Sequence, residues 1–73
     1  MKIQDLMKRL TTEDVIQILE DSGYGINEEL SAKYNFFDGT NHVFSIQYNN
    51  EGKLEKGSVF VTIDKQGNMT AEF

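Results

Sequence analysis

His42 is the single imidazole in a 73-residue chain without cysteine, so any nucleophilic or acid–base chemistry would have to centre on it. A histidine base needs a hydroxyl or thiol beside it and a third group to orient its ring. The neighbouring Asp38-Gly39-Thr40 is expected as a three-residue turn that pairs Tyr34 with Phe44, and it supplies no such set. His42 is expected on the inward face of a sheet, near its rim and opposite Phe36, as a partly covered structural ring. Zinc requires Cys or His in groups, and one histidine does not make a group.

Carboxylates offer a second chemistry. Asp21, Glu28 and Glu29 flank the Gly23-Tyr24-Gly25 stretch and could in principle hold a hard cation. Glycines stand where a calcium loop would place oxygen ligands, so the stretch reads as a solvated acidic loop. The same glycines follow a helix instead of opening one, and therefore cannot aim helix N-terminal amides at a phosphate. None of the twelve Asp and Glu residues is placed in a pocket by the sequence. No catalytic residue, metal ligand or cofactor site is assigned, and the chain is expected not to be an enzyme.

What remains is adhesive chemistry. Phe37, Val43 and Phe60 are expected to point away from the core among Ser31, Lys33, Asn35, Ser45, Gln47, Thr62 and Thr70. Aromatic residues on an otherwise polar sheet face have the composition of a binding patch. With the acidic residues Glu20, Asp21, Glu28 and Glu29, these three are the candidate protein-interaction residues.

The elements that must position them follow from periodicity. Ile3, Leu6, Met7 and Leu10 form a helical stripe, and Val15, Ile16, Ile18 and Leu19 form another. Thr11 and Asp14 make a capping box at the second helix, Leu10 and Val15 a hydrophobic staple, and Gly23 a Schellman stop. Leu30, Ala32, Tyr34 and Phe36 alternate as one strand, and Phe44, Ile46 and Tyr48 mark the inner face of the next. Asn50-Glu51-Gly52 is expected as a turn that sets Tyr48 opposite Leu54, which then requires a bulge at Gly57. The final hairpin turns through Lys65-Gln66-Gly67, pairing Ile63 with Met69, Val61 with Ala71 and Val59 with Phe73. The expected fold is α+β: two short N-terminal helices, about 2–10 and 12–22, packed on one face of a four-stranded antiparallel meander. The strands are expected at about 29–37, 41–49, 53–64 and 68–73, in a single domain spanning 1–73.

A net charge of −5 argues against nucleic acid and anionic membrane as partners, because both select a basic face. The chain lacks the apolar run of a signal peptide or membrane span, and a cytoplasmic location is expected. The layout resembles the repeat unit of the β-lactamase-inhibitor-protein-like folds, with Leu10-Thr11-Thr12-Glu13-Asp14-Val15 at the corresponding helix start. That resemblance is one of layout alone. It lacks the disulfides usual in those secreted proteins and implies no activity. The expected role is a small acidic protein-binding module, an inhibitor or regulator of a larger cytoplasmic machine of the kind found among phage and mobile-element accessory proteins. The alternative is a homo-oligomeric structural domain assembled through its outer sheet face or an edge strand.

Overall fold

A computed structural model describes residues 2–24 and 30–73. Among these residues two helices, α1 (Ile3–Arg9) and α2 (Thr12–Asp21), precede four strands: β1 (Leu30–Phe37), β2 (His42–Asn50), β3 (Lys53–Ile63) and β4 (Met69–Glu72). The strands form one antiparallel sheet in the order β1-β2-β3-β4, with the helices against it. This is the expected α+β architecture, with no element end moved by more than one residue.

α2 forms where its caps say it should. The Thr11 side chain accepts the Asp14 amide at 3.2 Å, and the Asp14 carboxylate accepts the Thr11 amide at 2.9 Å. At the other end Gly23 takes φ 96°, so the Tyr24 amide reaches the Leu19 carbonyl at 2.9 Å and the Gly23 amide reaches that of Glu20 at 3.0 Å. α2 drives Val15 and Leu19 into a core completed by Leu30, Phe44, Ile46, Val59, Val61 and Ala71. α1 is held more lightly. No side chain caps its start, and of its apolar stripe Met7 alone is fully buried, while Ile3 and Leu6 remain exposed. A seven-residue helix has little stability of its own, so Met7 is its anchor.

α2 packs against both β1 and β4, the two edge strands of the sheet. At its first turn the Thr12 hydroxyl oxygen accepts the Ala32 amide at 3.2 Å and lies 3.5 Å from the Ala32 carbonyl. Beyond its last turn, Ser22 Oγ accepts the Ala71 amide at 2.7 Å. One helix thus clips both edges of the sheet, each through a hydroxyl that takes the place of a missing neighbour strand.

Two registers differ from expectation. Asp38 Oδ1 accepts the amides of Thr40 and Asn41 at 2.9 and 2.6 Å, which holds a four-residue turn, Asp38 to Asn41, where three were expected. A bulge at Asn35 absorbs the extra residue: Tyr34 still pairs with Phe44, as expected, but Phe36 pairs with Val43 and Phe37 with His42. The next turn is shorter than expected. Glu51 and Gly52 take φ 52° and 86° in a two-residue turn, so Asn50 pairs with Lys53 and Tyr48 with Glu55. Leu54 therefore points outward, 71% exposed, and β3 passes Gly57 without a bulge. Gly57 lies on the inner face, where a Cβ would sit 3.6 Å from Ile46 and Tyr48. The Tyr48 ring reaches across this gap to Phe73, with centroids 5.6 Å apart. The last hairpin keeps its expected register, Ile63 with Met69 and Val61 with Ala71, around Gly67 at φ 86°.

The clips have a measurable weight. Thr12→Val keeps the side-chain shape but strands the Ala32 amide, and Ser22→Ala strands that of Ala71. Each should lower unfolding free energy by about 1–2 kcal/mol in urea melts, against a total of roughly 3–5 kcal/mol for a core of this size. Amide exchange should rise locally at Ala32 in the first variant and at Ala71 in the second. Unchanged melts with unchanged exchange would show that the clips contribute nothing.

Candidate interaction face

The single imidazole is packed among aromatic side chains. His42 is buried on the inner face, paired across strands with Phe37 and Val61 instead of the expected Phe36. Its Nδ1 lies 3.3 Å from the Tyr34 hydroxyl, and its ring centroid lies 4.7 Å from that of Phe37. With Tyr34 donating, the imidazole is the Nε2-protonated tautomer. Burial pushes its pKa below the ordinary histidine value, and the nearby Asp38 carboxylate offsets part of that shift. A neutral ring wedged between two aromatics and bonded to a tyrosine is a packing element. Lys2, Ile3 and Gln4 at the start of α1 close a shallow cleft over it together with Phe37.

Phe37 was expected on the outer face and is not there. The bulge at Asn35 reverses the alternation, so Phe37 turns toward His42 and α1, and Phe36 takes its place outside. The other two apolar candidates stand as expected. Val43 and Phe60 are cross-strand partners on the outer face, and with Phe36 they form one row across β1, β2 and β3 that Glu72 of β4 extends. Val43 is only 4% exposed yet lies outside the main core cluster, flanked by Phe36 and Phe60, which are 50% and 37% exposed. The row is a small second hydrophobic cluster on the side that no helix covers among the described residues.

Next to this row the sheet presents small and polar side chains. Lys33 pairs with Ser45, which pairs with Ser58; Ser31 pairs with Gln47, which pairs with Lys56. Short serine side chains leave a trough lined by Ser31, Lys33, Ser45, Gln47 and Lys56. It adjoins a second depression that runs on to Asn49 and Leu54. Lys33 and Lys56, both exposed, stand on either side of the trough.

The acidic candidates fall elsewhere. Glu20 and Asp21 are exposed at the end of α2, where the Gln17 side chain donates to the Asp21 carboxylate at 3.0 Å. Glu28 and Glu29 lie outside the described residues. Among the described residues, no three His, Cys, Asp or Glu side chains are grouped as metal ligands would be. No helix among them is long and apolar enough to cross a membrane. Sequence reasoning missed Phe36 and Leu54 as outward residues. For Phe36 the available signal was Asp38 followed by Thr40 and Asn41, an Asx-type turn that lengthens the loop by one residue.

The buried neutral His42 makes stability depend on pH in a defined window. Its folded pKa is depressed, so its contribution is complete above the ordinary value near 6.5 and is lost as pH falls below it. The carboxyls of Asp14, Asp38 and Asp64 are also held low, by hydrogen bonds from backbone amides, so their contribution is lost only below the ordinary carboxylate range. Urea midpoints should therefore fall as pH drops below about 6.5 in the native chain and stay flatter in His42→Gln. Equal slopes in the two proteins would remove His42 as the titrating group.

No family model, curated protein or solved structure matches the chain.

Proposed function

We propose that this protein is a non-enzymatic protein-binding module that acts through the uncovered face of its sheet, as a small inhibitor or regulator of a larger protein. One observation carries the reading: the Phe36–Val43–Phe60 row is an apolar cluster built on the face opposite the core. Two partly exposed phenylalanines around a buried valine cost solubility without adding to the main core, and central aromatic anchors of this kind dominate binding energy at interfaces. The single histidine, with Tyr34 on its nitrogen and Phe37 against its ring, is spoken for structurally, which supports a role without catalysis.

Self-assembly through the same face is the weaker reading. Packing two copies face to face would enclose Lys33 and Lys56 of both. Glu72 is the sole carboxylate among the outward side chains of the paired strands. Burying that excess of like charge opposes a symmetric dimer.

Phe36→Ser and Phe60→Ser should each leave the fold within about 1 kcal/mol of the native chain. Each should weaken partner binding by about 2 kcal/mol, or roughly 30-fold. The check is parallel affinity capture on the native chain and the two variants, with sedimentation velocity to establish each protein's own association state. Proteins retained by the native chain and lost by both folded variants fit the proposal. Equal retention by all three would remove this face from the function.

A further inference from the structure

The outward face differs in charge from the rest of the chain, and that difference points to the chemistry of its partner. The chain as a whole carries a net charge of −5, yet the trough beside the apolar row is flanked by Lys33 and Lys56 and lined otherwise by neutral side chains. The carboxylates of α2 (Glu13, Asp14, Glu20 and Asp21) belong to the element packed on the opposite side of the sheet. Leu54 stands at one end of the outward face and the Phe36–Val43–Phe60 row at the other. Leu54 and Phe60 lie on the same strand six residues apart, which spans about 20 Å at the rise of an extended chain. Apolar ground at both ends, with two cations over a trough of serines between them, is a pattern a ligand would have to complement.

We infer that the face receives an extended acidic peptide segment of a partner protein. Carboxylates in the middle of that segment lie between Lys33 and Lys56, and an apolar side chain at one end docks on the Phe36–Val43–Phe60 row. This rests on the reading of the outer face as the binding surface and names the partner's chemistry. A long polyanion fits less well than a short acidic segment. Glu72 continues the apolar row, and the Asp38 and Asp64 carboxylates cap the turns that follow β1 and β3, so phosphates running past the row would meet negative charge. A second copy of the chain placed face to face would oppose lysine to lysine.

The test selects short random peptides by display on the intact native chain and measures the enriched peptides against variants. The expected peptides carry Asp or Glu in the middle and an aromatic residue or leucine toward one end. Lys33→Glu combined with Lys56→Glu should weaken them at least about tenfold. The pair Lys8→Glu and Lys65→Glu, which changes net charge equally away from the face, should weaken them much less. Phe60→Ser should also weaken them at least about tenfold. Circular dichroism and urea midpoints establish that each variant is folded. If Phe60→Ser abolishes binding while the two lysine pairs behave alike, the acidic partner is wrong and the face remains an interface. If neither Phe60→Ser nor the Lys33/Lys56 pair matters, both readings fall. Tight binding of a short oligouridine lost in the Lys33/Lys56 and Phe60 variants would overturn the peptide in favour of a nucleic-acid strand. A dimer dissolved by Phe60→Ser would overturn it in favour of a second copy.

Discussion

The structure depends on one helix lying against a sheet and closing it at both edges. An open sheet of this size has two rows of unpaired backbone groups and an apolar face that water would otherwise reach. α2 answers both problems at once. Val15 and Leu19 fill the face, while the hydroxyls of Thr12 and Ser22 take the Ala32 and Ala71 amides on opposite edges. The caps that define the helix are adjacent in sequence to these clips: Thr11 precedes Thr12, and Ser22 precedes the Gly23 stop. Helix length and sheet width are therefore matched, since moving either helix end would release one edge of the sheet.

Because α2 packs on a single face, the outward side chains of the other take no part in the main core. The outward residues follow the meander's alternation except where the Asn35 bulge changes it. That bulge arises from the Asp38 side chain, whose bonds to Thr40 and Asn41 favour a four-residue turn. Through a local hydrogen-bonding preference, Phe36 comes to stand beside Val43 and Phe60, and Phe37 goes to the packing around His42. Folding and the proposed recognition would then draw on separate side chains of the same strands, so the outer row could change with little effect on the core. Val43 is the partial exception, since its burial depends on its outer neighbours.

Much of this was legible in the sequence, and the failures have a common cause. Thr11 with Asp14 and the Gly23 stop are local signals, and each appears in the structure as read. So is Gly67, whose positive φ fixes the last hairpin. Alternation placed Phe44, Ile46, Val61 and Ala71 in the core and Val43 and Phe60 outside. Period-2 reasoning misplaced Phe36 and Phe37 because it carries parity through the Asn35 bulge, and Leu54 because it carries parity through a turn whose length sets it. One extra residue at Asp38 and one fewer at Glu51 were enough. The Thr12 and Ser22 clips join residues 20 and 49 positions apart in sequence, a separation that no local pattern encodes.

The central claim is that the sheet has one face for its core and one for a partner. Amide chemical-shift mapping of the intact chain, with a display-selected acidic peptide added, tests it most directly. The account predicts perturbations at Lys33, Ser45, Lys56 and Phe60 and near Val43, with Val15, Leu19 and the clipped amides of Ala32 and Ala71 little changed. Perturbations centred instead on α1, Phe37 and His42, or on the exposed side of α2, would place binding on the helical side and contradict it.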